Sequence, residues 1–147
     1  MDYPKSTPDT MIAYVDGSFN IKTKTYGGGA IMFFQGEPSY YKKSGNDPEM
    51  ATMRNVAGEI MASEHAMLFA LNTPGVKKLI IYYDYMGVEA WCTGKWKTNK
   101  NGTKRYKKFY DEKVKPNIEV TFVKVKGHSG DKWNDEADRL AKEAAGI

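Results

Sequence analysis

The sequence predicts an α/β fold in which strands and helices alternate. Two runs of largely apolar residues, Met11–Val15 and Val76–Tyr83, each end directly in an aspartate, Asp16 and Asp84. A near-continuous apolar run is typical of an interior parallel strand, and the carboxyl ends of parallel strands meet at one edge of the sheet. Because a helical pattern separates the two runs, we expect parallel neighbours whose aspartates emerge at the same edge.

The N-terminal third of the chain predicts three strands joined by turns. After Met11–Val15, the segment Tyr26–Phe34 begins with glycines and ends apolar, and the turn Gln35–Pro38 returns the chain through Ser39–Lys43. Strands linked in this way form an antiparallel set. The glycines lack the Lys-Ser/Thr ending of a phosphate-binding loop, so we interpret them as backbone freedom within a strand.

The rest of the chain predicts helices alternating with strands. Apolar residues recur on one face from Val56 to Leu71, which indicates a long helix that Thr73–Gly75 ends. Asp131 is a predicted N-cap. The further predicted elements are a short helix at Met86–Trp91, an amphipathic helix at Tyr106–Val114, an edge strand at Ile118–Val125 and a closing helix at Lys132–Ala145.

The pattern contains no internal repeat and no evident domain boundary. Residues 11–147 are therefore expected to form one domain, preceded by a flexible, polar lead-in at residues 1–10 that carries two prolines. The lone cysteine, Cys92, excludes an internal disulfide and indicates a reducing compartment. No apolar run approaches the roughly 20 residues that cross a membrane. We expect a cytoplasmic protein.

Positive charge is concentrated in a basic segment, residues 95–108. The chain has a net charge of +4, yet this segment holds seven basic residues and no acidic one, together with Trp96 and Tyr106. The remainder has 15 basic and 18 acidic residues, so all of the excess positive charge lies here. Such a patch attracts a phosphate backbone, and a lysine-rich solvated loop is the alternative.

Carboxylates gathered at one sheet edge favour a hard cation. Oxygen ligands without cysteine or paired histidine suit magnesium or manganese. Magnesium ions held by carboxylates and substrate phosphates are the usual arrangement for phosphoryl transfer. Together with the basic segment, the carboxylates indicate metal-dependent cleavage of a nucleic acid. A hydrolase that uses two carboxylates as acid and base on a sugar is the competing interpretation.

Four short motifs carry a resemblance to a known family. They are Tyr14–Ser18, Asn55–Glu59, Tyr82–Asp84, and Lys126–Gly130 continuing through Asn134 to Asp138. In order, spacing and local context this set resembles type 1 ribonuclease H, from Met11 to Ala145. The resemblance implies a five-stranded mixed sheet of order 3-2-1-4-5 with helices on both faces.

The resemblance also implies an activity, hydrolysis of the RNA strand of an RNA–DNA hybrid by two metal ions, leaving 5′-phosphate and 3′-hydroxyl ends. Two Mg²⁺ ions are implied, with Mn²⁺ as a substitute. His128 matches the family's mobile histidine, which assists proton handling or product departure. Asp135 is an alternative to the last carboxylate, although the spacing to His128 favours Asp138. By motif position the metal ligands are Asp16, Glu59, Asp84 and Asp138.

The substrate contacts implied by the resemblance include several departures from the family pattern. Asn55 matches an asparagine near the substrate backbone, and Arg54 replaces a small hydroxyl residue there, which implies an altered phosphate pocket. Tyr85-Met86 replaces the more common Ser-Gln pair. Trp91 is either a packing anchor or a contact. The other residues expected to reach the hybrid are Ser18, Asn20, Trp96, Lys104 and Arg105.

The expected partner is an RNA–DNA hybrid bound by a monomer, with weak sequence preference and no membrane association. The N-terminal hybrid-binding domain of some relatives is not expected in this chain. A non-catalytic hybrid-binding module would lack the four carboxylates, which are all present. A polynucleotidyl transferase or integrase would share them, and the loop around His128 favours ribonuclease H instead.

Overall fold

The computed structural model describes residues 3–125 and 131–147. The strands are β1 (Thr10–Asn20), β2 (Thr25–Phe33), β3 (Ser39–Gly45), β4 (Lys78–Tyr83) and β5 (Glu119–Lys124). The helices are α1 (Pro48–Ala51), α2 (Asn55–Leu71), α3 (Gly87–Thr93), α4 (Asn101–Phe109), which continues as a π-helical turn at Tyr110–Val114, and α5 (Lys132–Ala145).

The five strands form one mixed sheet of order β3-β2-β1-β4-β5, which confirms the order that the resemblance implies. Strands β1, β2 and β3 pair antiparallel, whereas β4 lies parallel to β1, and β5 lies parallel to β4. The predicted parallel pairing of the two aspartate-ending runs is therefore confirmed. It ends at the pair Tyr14–Tyr82, two residues before each aspartate.

Strand β1 is longer than the sequence predicts. The prediction that it ends at Asp16 is wrong, because β1 stays paired with β2 as far as Asn20, with Asp16 opposite Gly29. Only its pairing with β4 stops. Asp16 therefore lies within a strand, just beyond the point where the neighbouring parallel strand departs.

Helices cover both faces of the sheet, as predicted. Helix α2 packs on one face of β1 and β2, together with α3 and α4, over a large apolar core that includes Met11, Ile60 and Tyr83. Helix α5 packs on the other face, where Phe33 and Trp133 belong to a smaller apolar cluster. The catalytic candidates on α2 and α5 thus approach β1 from opposite sides.

Two helical features differ from the sequence prediction. Helix α4 begins at Asn101, inside the basic segment and five residues earlier than predicted. The reason is tertiary, because Tyr106 is fully buried and its hydroxyl donates to the carbonyl of Val88 at 2.8 Å. The break predicted at Asn46–Glu49 also starts α1, since the Asp47 side chain accepts from the Met50 N–H.

The lead-in is tied to the sheet by its side chains. The Tyr3 ring lies 5.8 Å from the Phe33 ring and 5.9 Å from the Trp133 ring, measured between centroids. Farther along, the Ser6 hydroxyl accepts from the Gln35 N–H at 3.2 Å. The predicted flexibility of residues 1–10 stays a prediction.

Within residues 3–125 and 131–147, no helix has both the length and the apolar character that crossing a membrane requires.

Helix α2 approaches the sheet so closely that its backbone touches the strands. A Cβ atom added at Gly58 would lie 1.9 Å from the Gly27 carbonyl oxygen, and one added at Gly17 would lie 2.1 Å from the Asn55 carbonyl oxygen. Neither contact leaves room for a side chain, and both obstructing atoms belong to the backbone. Glycine is therefore required at Gly17 and Gly58 because of this close approach.

Replacing Gly58 with alanine is expected to destabilise the protein by roughly 3 kcal/mol, since the added methyl must push α2 away from the sheet. Gly102→Ala in α4 is the matched control, because its methyl would meet the flexible side chains of Met50 and Met53. Urea unfolding of both variants measures the difference. Equal stability of the two variants would contradict the close approach.

Candidate active site

Asp16 and Asp138 meet where α5 crosses β1. Asp16 pairs with Gly29, and a Cβ atom at Gly29 would lie 2.4 Å from the carbonyl oxygen of Ala137. The lack of a side chain at Gly29 thus lets α5 approach the sheet backbone. Asp138 follows Ala137 and comes within hydrogen-bonding distance of the Asp16 carboxyl.

Glu59 links α2 to the turn that follows β4. Its side chain is buried, and one carboxylate oxygen accepts the backbone N–H groups of Asp84 at 3.3 Å and Tyr85 at 3.1 Å. The contact between Gly58 and Gly27 sets the distance of α2 from the sheet. Glu59 and Asp84 are thereby brought together at the edge where Asp16 lies.

The site concentrates negative charge in a partly dry environment. Burial raises the pKa of Asp16 from 3.8 to about 7, with the neighbouring charges of Asp138 and Asp84 adding to the effect. Burial also raises the pKa of Glu59 from 4.5 to about 8, and the charge of Asp16 adds to it. Hydrogen bonds from the Gly17 N–H to Asp16 and from the turn to Glu59 oppose these shifts only in part. Such a cluster favours a proton or a cation.

Lys142 supplies one positive charge at the cluster. Its Nζ lies 2.9 Å from the Asp138 carboxylate, one helical turn away in α5, and this bond raises the pKa of the lysine. Both side chains are about half exposed, so the pair contributes little to stability. The sequence analysis did not single out Lys142, although its four-residue spacing from Asp138 is the signal that would have found it.

The described carboxylates fit a hard divalent cation by their chemistry. No three His, Cys, Asp or Glu side chains in the part of the chain that the structure describes form a ready-made ion cage. Magnesium does not need one, because it keeps several waters and is usually held by one or two carboxylates and substrate phosphates. The oxygen-only donor set and the raised pKa values of Asp16 and Glu59 both favour such an ion.

The two candidates on α5 differ in their surroundings. Asp138 is half-buried and acts on Asp16, whereas Asp135 is exposed on another side of the helix. Asp131 accepts the N–H groups of Trp133 and Asn134, which confirms the predicted N-cap. His128 lies outside the described residues.

The predicted substrate residues on β1 are already engaged in the fold. Ser18 is buried. Asn20 donates from its side chain to the carbonyls of Ala145 at 3.2 Å and Gly146 at 3.3 Å, and its side-chain oxygen accepts two N–H groups of the β1–β2 turn. Asn20 thus ties the end of α5 to the sheet, and the structure does not bring its side chain to the carboxylates.

Arg54 and Asn55 are exposed at the start of α2. Arg54 has a positive φ of 54°, a strained conformation for a residue with a side chain, and its guanidinium lies 6.0 Å from the centroid of the Phe19 ring. A cleft of about 490 Å³ opens beside it, lined in part by Lys24 and Thr52. The arrangement offers positive charge next to the carboxylate edge.

The basic segment forms a wall beside the carboxylates. Trp96 is 40% exposed, and its ring lies 5.8 Å from that of Trp91 and 5.9 Å from that of Tyr85. Tyr85 directly follows Asp84, so this aromatic cluster adjoins the site. A cleft of about 280 Å³ lies against it and is lined by Met53, Val56, Tyr85, Trp91, Lys97, Asn99, Lys100 and Thr103.

Helix α4 carries the other predicted contacts. Lys104 and Arg105 are exposed, and the Arg105 guanidinium rests on the Met50 sulfur at 3.4 Å. Lys107 is instead engaged within the fold, since it donates to the Cys92 carbonyl and pairs with Asp111 at 3.2 Å. Lys104 and Arg105 are therefore the freer of the predicted basic contacts on this helix.

Comparison with known proteins decides the family. The sequence profile described as RNase H matches residues 8–146, nearly the whole chain. This chain belongs to the ribonuclease H family. A ribonuclease H of Dinoroseobacter shibae is 31% identical over 142 residues, which cover 90% of this chain and 89% of that protein. Human ribonuclease H1 is 34% identical over 102 residues, which cover 62% of this chain but only 35% of the human protein.

Solved structures of the ribonuclease H family share the fold. Ribonuclease H1 of the archaeon Halobacterium salinarum superposes with a TM-score of 0.73 at 22% identity, covering 92% of this chain and 96% of that one. LC11 ribonuclease H1, solved in complex with an RNA/DNA hybrid, superposes with a TM-score of 0.69 at 16% identity and the same coverage. These likenesses confirm the predicted fold class of this ribonuclease H.

The stability of the metal-free protein is expected to fall as the pH rises. The folded state holds protons on Asp16 and Glu59 that the unfolded chain releases near pH 4, so the stability is full below that pH. It is lost as the pH rises through about 7 for Asp16 and about 8 for Glu59. Asp16→Asn should therefore raise the free energy of unfolding by about 2 kcal/mol at high pH and change it little near pH 4.

Thermal unfolding in a chelator across this pH range measures the effect. Asp135→Asn is the matched control, because this exposed carboxylate lies away from Asp16. A wild-type stability that stays flat from acid to alkaline pH would show that the buried carboxylates do not hold these protons.

Proposed function

We propose that this ribonuclease H hydrolyses the RNA strand of RNA–DNA hybrids with two divalent metal ions, leaving 5′-phosphate and 3′-hydroxyl ends. The observation that carries the proposal is the placement of acidic side chains from β1, α2, the end of β4 and α5 at one sheet edge, beside a cleft lined by basic and aromatic residues. Charge of opposite sign is thus arranged for metal ions and for a phosphate backbone.

Asp16, Glu59, Asp84 and Asp138 are the proposed metal ligands. Bound magnesium or manganese supplies the positive charge that stabilises the attacking and leaving oxygens of phosphoryl transfer. The chain's own contribution is to keep the carboxylates close together and partly desolvated, at the cost of their mutual repulsion. Lys142 balances the charge of Asp138. His128 is proposed to assist proton handling or product departure.

The surroundings of the carboxylates suit a nucleic-acid duplex. Lys97 and Lys100 line the cleft next to Tyr85 and Trp91, and the exposed Trp96 ring lies beside them. Lysines neutralise phosphates, and exposed aromatic rings pack against sugars or bases. Arg54 and Asn55 are proposed to hold a phosphate on the α2 side, and Lys104 and Arg105 to contact the backbone from α4.

Selection of a hybrid follows from the chemistry of the two strands. The RNA strand presents 2′-hydroxyl groups in a wide minor groove, and a protein can use these groups to distinguish RNA from DNA. The relative solved in complex with an RNA/DNA hybrid shares the fold of this chain, which supports the same class of substrate. Contacts to the backbone rather than to base edges predict weak sequence preference.

Asp138→Asn is expected to lower cleavage of a labelled RNA–DNA hybrid by at least about a hundredfold, whereas Asp135→Asn should retain nearly full activity. The physical reason is that Asp138 acts on Asp16 while Asp135 is exposed elsewhere on α5. Single-turnover cleavage with magnesium measures both rates, and Asp16→Asn and Asp84→Asn are inactive references. The reverse order of the two α5 variants would transfer the ligand role to Asp135.

Neutralising Lys104 and Arg105 together, as Lys104→Gln and Arg105→Gln, is expected to weaken hybrid binding and to lower its salt dependence by about one to two phosphate contacts. Fluorescence anisotropy with inactive Asp16→Asn protein at several salt concentrations measures both effects. Lys113→Gln with Lys115→Gln is the matched control, because it removes the same charge at the far end of the π-helical turn. Identical salt slopes for the two double variants would make Lys104 and Arg105 a solvated surface.

A further inference from the structure

Tyr83 forms a hydrogen bond that spans the turn carrying Asp84. It is the last residue of β4 and is 1% exposed. Its hydroxyl donates to a carboxylate oxygen of Glu89 in α3 at 2.5 Å, and the Met86 sulfur lies 3.5 Å away. A hydrogen bond from a hydroxyl to a carboxylate is among the stronger ones in proteins, and more so where it is shielded from water.

The same turn is held from the opposite side by Glu59. Glu59 accepts the N–H groups of Asp84 and Tyr85, the two residues that directly follow Tyr83. The turn is therefore fastened twice, by Glu59 on its backbone and by the Tyr83–Glu89 bond across its base. Any shift of the turn moves Asp84 and also removes the donors that orient Glu59.

Helix α3, which carries Glu89, has few other contacts that fix its start. It is seven residues long and has no side-chain hydrogen bond at its N-cap. Its first turn is held by N–H groups of Val88 and Ala90, which donate to Tyr85 and Met86 at 3.0 Å and 2.9 Å. These bonds lie within the turn and its helix, so they do not fasten either of them to β4.

Lys95 does not explain the position of Glu89. Its Nζ lies 3.8 Å from the second carboxylate oxygen of Glu89, and the lysine side chain is 61% exposed. An exposed ion pair at this distance contributes little. The buried hydroxyl of Tyr83 is therefore the interaction that fixes the Glu89 carboxylate.

We propose that Tyr83 and Glu89 are positioning residues that fix Asp84 directly and Glu59 through the N–H groups of the turn. Neither side chain is among the proposed metal ligands or substrate contacts. The inference rests on the proposed function for its effect on the rate, but the geometry that it predicts for the turn can be measured in the protein without metal or substrate.

Tyr83→Phe removes the hydroxyl and keeps the ring in the core. We expect kcat for hybrid cleavage to fall about tenfold, because small displacements of catalytic groups have large effects on rate. KM should change less than about twofold, since the substrate contacts stay in place. Glu89→Leu should match Tyr83→Phe, and the double variant should be no slower than either, because both changes remove one shared bond.

Glu89→Gln keeps an oxygen that accepts from Tyr83, so it should restore most of the rate lost in Glu89→Leu. Tyr110→Phe is the matched control, because Tyr110 also packs against the large core but belongs to the π-helical turn. It should leave kcat unchanged. All assays are run at a temperature where circular dichroism shows each variant folded, which separates the rate effect from a loss of stability.

Amide hydrogen exchange in the metal-free protein tests the geometry independently of catalysis. In Tyr83→Phe the N–H groups of Asp84 and Tyr85 should exchange at least about tenfold faster than in the wild type, while those of Tyr110→Phe should not change. Unchanged exchange and unchanged kcat in Tyr83→Phe would overturn the inference. A wild-type protein that does not cleave hybrids would overturn the proposed function, and the exchange rates would still decide whether Tyr83 and Glu89 hold the turn.

Discussion

The candidate site depends on backbone contact between two helices and the sheet. Helix α2 touches the strands at Gly58 and Gly17, and α5 approaches at Gly29, with no side chain between the backbones at these points. Protein interiors are close-packed, so a helix held off by even one methyl group would carry its functional side chains away from β1. Glycine at these positions is what lets acidic residues from both faces of the sheet converge on Asp16.

Convergence of this kind has an electrostatic cost. Burial and mutual repulsion raise the pKa of both Asp16 and Glu59, and the fold offsets the cost only in part, through backbone N–H groups donated to each carboxylate. The hydrogen bonds to Glu59 have a second consequence, because they join α2 to the turn after β4. The same turn is held from the other side by Tyr83 and Glu89. Electrostatic relief and positioning are therefore provided partly by the same groups.

Local sequence pattern predicted most of the elements because their causes are local. The helix from Asn55 to Leu71 follows from apolar periodicity, and the closing helix from its Asp131 cap. The start of α4 was missed because the segment reads as polar and basic. It is helical because Tyr106 is drawn into the core, where its hydroxyl meets a carbonyl of α3. Nothing within the segment itself carries that information.

The sequence by itself determined the fold class and the acidic residues of the site, since apolar runs ending in aspartate and the order of four motifs are properties of the chain. Tertiary structure alone decided how these residues meet. Asp138 rather than Asp135 lies beside Asp16 because of the direction in which α5 presents each residue as it crosses Gly29. Glu59 accepts from the turn after β4, and Asn20 holds the end of α5, because of pairings between residues that are 25 or more positions apart. Such contacts depend on the packing of whole elements, which no local pattern records.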